Sequence, residues 1–134
     1  MTIAVLVIEK DDLTRETILY MLEAMKYRAV GVQATQNALG ALHGVHFDVV
    51  MCSLSHDDPE GSLIAYEAKA LQEHLKVIVI SGRGREKDFA PLVDAFVPKP
   101  FTLQAIDHAI KQVLPVSILT TTDRDTFMIR AQEE

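Results

Sequence analysis

The chain has 134 residues, 49% of them apolar and 24% charged, with a formal net charge of −6. That length suits one domain around one core, and the balance of residues excludes a disordered chain. No apolar run approaches the ~20 residues of a membrane helix, so no membrane role is expected. Thirteen Lys and Arg are scattered among 19 acids, and Arg83, Arg85 and Lys87 are the only basic cluster. A nucleic-acid-binding surface needs a basic stripe for the phosphates, so direct nucleic-acid binding is not expected. The start Met1-Thr2-Ile3-Ala4 lacks the basic residues of a signal peptide, and the single Cys52 suits a reducing compartment. Both point to the cytoplasm.

In chain order, residues 3–8 form a continuous apolar run closed by Glu9-Lys10-Asp11-Asp12. A short run without alternation predicts a strand buried on both faces. Asp11 or Asp12 then caps a helix, and Leu13, Thr17, Tyr20, Leu22, Ala24 and Met25 keep helical spacing to about Lys26. Ala29 to Val32 reads as a second strand. Thr35 is placed to cap a short helix that Gly44 stops. Residues 47–53, Phe-Asp-Val-Val-Met-Cys-Ser, read as the central strand, ending on the hydroxyl of Ser53. The turn formers from Leu54 to Gly61 lead to a helix over about 62–74. Lys76 to Ser81 is a β-branched fourth strand, broken at Gly82-Arg83-Gly84. A shortened fourth helix is expected over about 86–93, and Ala95-Phe96-Val97 is a fifth strand that Pro98 should end. Thr102 to Leu114 is a last amphipathic helix. The division expected is a domain over 1–115 and a tail over 116–134, whose Val116, Ile118, Leu119, Phe127, Met128 and Ile129 are too apolar for an inert linker.

This alternation predicts an α/β fold with a parallel sheet and helices on both faces. In such sheets the functional crevice lies beyond the carboxyl ends of the strands. The candidates there are Glu9, Lys10, Asp11, Ser53, Ser81 and Lys99. Other features read as ordinary. Cys52 behaves as a small apolar group. His43, His46, His56, His74 and His108 show no metal-ligand spacing, so no zinc site is expected. Gly82-Arg83-Gly84-Arg85 lacks the Lys-Ser/Thr of a phosphate loop.

Five stretches in register carry a resemblance over roughly residues 3–114. They are Val5-Leu6-Val7-Ile8-Glu9-Lys10-Asp11, Asp48 to Leu54, Glu60-Gly61, Ile78-Val79-Ile80-Ser81-Gly82, and Phe96-Val97-Pro98-Lys99-Pro100-Phe101. Together the chain resembles a response-regulator receiver domain of the CheY-like superfamily. The resemblance implies a flavodoxin-like, doubly wound five-stranded sheet in the order 2-1-3-4-5, and a cis bond before Pro100. It further implies an acidic pair that binds Mg²⁺ and an aspartate that takes a phosphoryl group from a histidine kinase. A hydroxyl and a lysine then respond to the new charge. By position the acidic pair falls on Glu9 and Lys10, the acceptor on Ser53, the hydroxyl on Ser81, the lysine on Lys99 and the aromatic switch on Phe96.

Two of these positions depart from the pattern. Mg²⁺ needs oxygen ligands, and Lys10 brings a cation instead. Ser53 removes an anionic ligand and the nucleophile together, since an unactivated alcohol is a poor nucleophile. The expectation is a degenerate pocket with no cofactor and Mg²⁺ binding lost or weak, in which Lys10 replaces the ion, held by Glu9, with Ser53 and Ser81 satisfying the remaining donors. The function expected is that of a bacterial pseudo-receiver without catalytic activity. It would act as a phosphorylation-independent interaction module in two-component signalling, with a histidine kinase or another signalling protein as partner. A homodimer is the other arrangement, formed through the tail or through the face made by the fourth helix, fifth strand and fifth helix, with Phe89, Leu92, Phe96 and Phe101. Two alternatives remain: a divergent receiver phosphorylated on Asp57 or Asp58, and a small flavodoxin-like ligand binder.

Overall fold

The computed structural model describes residues 2–54, 61–82 and 92–115, with the backbone alone for 61–63. Its elements are β1 (Ala4–Ile8), α1 (Asp12–Ala24), β2 (Arg28–Val32), α2 (Thr35–Gly44), β3 (Val49–Ser53), α3 (Gly61–Leu71), β4 (Lys76–Gly82), β5 (Ala95–Lys99) and α4 (Leu103–Val113). Helix α4 is the one expected over 102–114. Asp57, Asp58, Phe89, most of the helix expected over 86–93 and the whole 116–134 tail lie outside the described residues.

The five strands form one parallel sheet in the order β2-β1-β3-β4-β5. This is the flavodoxin-like winding. Alternation along each strand divides the core in two. Leu6, Ile8, Val50, Cys52, Val77 and Val79 face α2 and α3 through Ala38, Leu42, Ile64 and Ala68. Val5, Val7, Met51, Ile78, Ile80 and Val97 face α1 and α4 through Ile18, Leu22, Ile106 and Ile110. The continuous apolar runs of β1, β3 and β4 follow from burial on both sides.

Helix ends are set locally. The Asp11 carboxylate accepts the Thr14 amide at 2.8 Å and caps α1. Lys26 sits at φ 71°, the left-handed region, where the chain leaves α1. The Tyr27 amide bonds back to the Leu22 carbonyl and the Lys26 amide to that of Glu23, both at 3.0 Å, which is the Schellman closure. Beside α1, a Cβ added at Gly31 of β2 would meet Leu19 Cδ1 at 2.8 Å, so glycine permits this close approach.

Several boundaries differ from expectation. Thr35 is the first residue of α2 and not its cap; Ala34 holds that place without a side-chain bond, and Gly44 lies inside the helix. Strand β5 runs through Pro98 to Lys99 instead of stopping at Val97. It is an edge strand, where a missing N–H leaves no ladder partner unpaired. Helix α3 stops at Leu71, and Gln72 beyond it bonds sideways to the last turn of α2 and the α2–β3 connection.

Candidate functional site

The carboxyl ends of β1, β3 and β5 converge on one buried carboxylate. Glu9 follows β1, is 6% exposed, and its amide bonds to the Val32 carbonyl at 3.0 Å. Its Oε1 accepts the Ser53 hydroxyl at 2.8 Å and lies 3.8 Å from Lys99 Nζ. Its Oε2 accepts the Asp11 amide at 3.1 Å. Lys99 also donates to the Leu54 carbonyl at 2.9 Å. A buried carboxylate with a hydroxyl, an amide and an ammonium around it is a satisfied group.

The structure therefore brings together Glu9, Ser53 and Lys99. Ser81 stands at the adjoining strand end, fully buried, and its Oγ has no hydrogen-bond partner. Nothing in residue type marks Leu54, because only its main-chain carbonyl takes part.

Lys10 corrects the expectation. Its residue is exposed, and the ammonium paired with Glu9 among the described residues is that of Lys99. The physical reason is burial: Lys10 sits on the turn between β1 and α1, where an ammonium keeps its water, while Lys99 already supplies the counter-charge. Asp11 also turns away. Its Oδ2 accepts the Thr14 hydroxyl at 2.7 Å as well as the Thr14 amide. These two bonds hold its carboxyl below the usual range, and the Arg15 and Lys99 charges act in the same direction. Arg15 donates to the Glu9 carbonyl at 2.8 Å and to Asp12 at 2.6 Å, clamping the turn. Among the described residues no three His, Cys, Asp or Glu side chains are grouped so as to hold a metal ion.

The expected aromatic face is also divided. Phe96 packs against the core on the α2–α3 side and Phe101 against the core on the α1–α4 side. They do not share one surface patch; Leu92 is 38% exposed. Phe101 instead borders an open groove of about 420 Å³ with Leu13, Thr17 and Met21, reaching Lys99. The Lys99–Pro100 peptide bond is cis. No helix among the described residues is long and apolar enough to cross a membrane.

Residues 5–111 match the family model described as the response regulator receiver domain. Solved structures agree in fold. A CheY-like response regulator receiver domain from Methylobacillus flagellatus superposes with a TM-score of 0.76 at 22% identity, over 85% of this chain and all of that one. A receiver domain protein from Clostridium thermocellum gives 0.76 at 21%, over 88% of this chain and 98% of that one. The response regulator TrrA of Thermotoga maritima, in complex with Mg²⁺-BeF, gives 0.75 at 20%, over 85% and 100%. No curated protein sequence matches this one.

Proposed function

The chain belongs to the response regulator receiver domain family, and from that premise we propose that it is an atypical receiver whose signalling is independent of phosphorylation. It is a module of two-component signalling. In this reading it acts by binding another protein, a histidine kinase or a further signalling component, or a second copy of itself, and has no catalytic activity. One observation carries the reading. Where the family places its phosphoacceptor, Ser53 donates its hydroxyl to Glu9 at 2.8 Å.

The surroundings support it. Mg²⁺ asks for near-octahedral oxygen ligands, mostly anionic or water. The described residues offer one crevice carboxylate, already bonded through both oxygens, and the Asp11 carboxylate is bonded to the start of α1. This donor set does not fit the ion. Lys99 and Glu9 balance each other without it. The groove between α1 and the turn after β5, with the exposed Leu13 at its rim, offers a partner apolar contact next to the crevice.

The test is incubation with acetyl phosphate and Mg²⁺ followed by intact mass, together with calorimetric titration of Mg²⁺ and beryllofluoride. TrrA, whose structure contains Mg²⁺-BeF, is the positive control. The expected outcome is no phosphoryl adduct and no binding heat. An adduct mapped to Asp57 or Asp58 would overturn independence from phosphorylation.

A further inference from the structure

A second cluster lies at the opposite end of β3 from Ser53. His46 and His74 are 28 positions apart in sequence. Their rings stack with centroids 4.6 Å apart and planes inclined by 20°. His74 Nε2 lies 3.2 Å from His46 Nδ1. The other nitrogen of His46, Nε2, lies 3.4 Å from Asp48 Oδ1.

The backbone beneath this pair is held from several sides. Asp48 Oδ2 accepts the Ala4 amide at 2.8 Å. The Asp48 amide and carbonyl bond to Ala4 and Lys76 at 2.9 and 3.2 Å. Gln72 donates to the Leu42 and Val45 carbonyls, both at 2.8 Å, and accepts the Phe47 amide at 3.2 Å. His46 thus sits between two clamped residues, and His74 follows two positions after the clamp. Both histidines are exposed.

We propose that His46 and His74 form a binding site for a divalent transition-metal ion of the class that prefers imidazole, namely zinc(II), nickel(II) or copper(II). His46 Nδ1 and His74 Nε2 are the protein ligands, and Asp48 orients His46 from behind. Two nitrogens on one tetrahedral zinc, each at about 2.0–2.1 Å, stand roughly 3.3 Å apart. The observed separation is 3.2 Å. A carboxylate beside Nε2 favours the tautomer with its proton there, which leaves the Nδ1 lone pair for the ion. Water completes the coordination.

Near-parallel rings do not aim both lone pairs at one point. The His74 ring must turn about its side-chain torsions on binding while Asp48 keeps His46 in place, and because His74 is exposed, that turn displaces no core packing. The ion bridges the α2–β3 and α3–β4 connections, which meet only in the folded chain. It therefore stabilises the native state by linkage.

The test is calorimetric titration of the full chain, free of any affinity tag, with zinc chloride at about pH 7.5, where imidazoles are neutral. The expected result is one ion per chain and a rise in Tm that EDTA reverses. His46→Ala and His74→Ala should each weaken binding about tenfold or more, while His43→Ala, His56→Ala and His108→Ala leave it unchanged. Binding should weaken in acid, because protons compete with the ion for imidazole nitrogen. Copper(II) and nickel(II) should compete for the same site. The absence of binding heat and Tm shift at millimolar zinc overturns the proposal. So does zinc binding that survives either His46→Ala or His74→Ala.

Discussion

Ser53 and Lys99 hold the same carboxylate in different ways. The hydroxyl gives Glu9 a short hydrogen bond from a residue 5% exposed. The ammonium gives it charge at 3.8 Å, from a side chain 31% exposed. Ser53→Ala removes one charge-assisted bond and should lower stability by about 1–2 kcal/mol, read from urea unfolding. Lys99→Met leaves the buried Glu9 charge with no paired ammonium among the described residues, and also frees the Leu54 carbonyl. After allowing for its exposure, it should cost about 2–3 kcal/mol. The two losses should not add, because both act on Oε1, and a double-mutant cycle measures that coupling. Equal and additive losses would mean that the network is two separate contacts. The positions of Glu9, Ser53, Ser81 and Lys99 were legible in the sequence, because strand ends and motif register place them. The choice between Lys10 and Lys99 as counter-charge was not. Both are ammonium groups at strand ends, and only side-chain direction and burial separate them.

Helix α1, β2 and α4 are joined by contacts that no short-range pattern contains. The Tyr27 hydroxyl donates to Asp107 at 2.5 Å, across 80 residues, and Lys111 pairs with Asp107 at 3.0 Å. Burial pushes the Asp107 carboxyl up, but the Tyr27 and Lys111 bonds outweigh it and leave the group below its ordinary 3.8. A depressed carboxyl contributes stability that is present above its unfolded value and lost as pH falls through the folded one. The tie should therefore hold above about pH 4 and weaken below it. Burial, then the Asp107 bond and its charge, push the Tyr27 hydroxyl far above its ordinary 10.0. Its contribution is complete below about pH 10 and fades in stronger alkali. Tyr27→Phe should cost about 1.5–3 kcal/mol at neutral pH, and the deficit should shrink in acid as Asp107 protonates. Urea midpoints at neutral and acid pH, wild type against variant, check this; a deficit independent of acid would assign the loss to packing alone. At the other end of the same turn, Lys26→Gly should raise stability by about 0.5–1 kcal/mol, since φ 71° strains a side chain that glycine lacks. The described helices and strands were readable, from apolar runs, turn formers and the Asp11 cap. Their ends were less so. Strand β5 passes Pro98 because it lies at the sheet edge, which is a property of strand order and not of the proline. Likewise His46 and His74 carry no spacing signal, and meet only because the β3 and β4 connections share one end of the sheet.

Across the whole molecule, the same sheet that presents Ser53 decides what would be needed to return phosphoryl chemistry to it. Strand order sets the ends of β1, β3, β4 and β5 around one crevice, so a substitution at any one of them is felt by the others. Ser53→Asp places a second carboxylate beside Glu9, with Lys99 the one ammonium near both among the described residues. Two close carboxylates with a single counter-charge repel each other. That variant should be less stable than the wild type at neutral pH, and should recover as acid protonates one of them. It still carries the ammonium of Lys10 where the family resemblance asks for an acid. Although Lys10 is exposed, it follows Glu9 directly in the chain, contributes no oxygen and opposes a divalent cation. The single Ser53→Asp change should therefore gain neither Mg²⁺ binding nor an adduct from acetyl phosphate. Ser53→Asp combined with Lys10→Asp supplies three acids with Glu9 and should gain both, with Mg²⁺ raising the Tm of the double variant. Intact mass after acetyl phosphate and calorimetry with Mg²⁺ separate the two variants. Strong modification of the single variant would show that Lys10, turned to solvent, is no obstacle, and that loss of the acceptor alone silences this crevice.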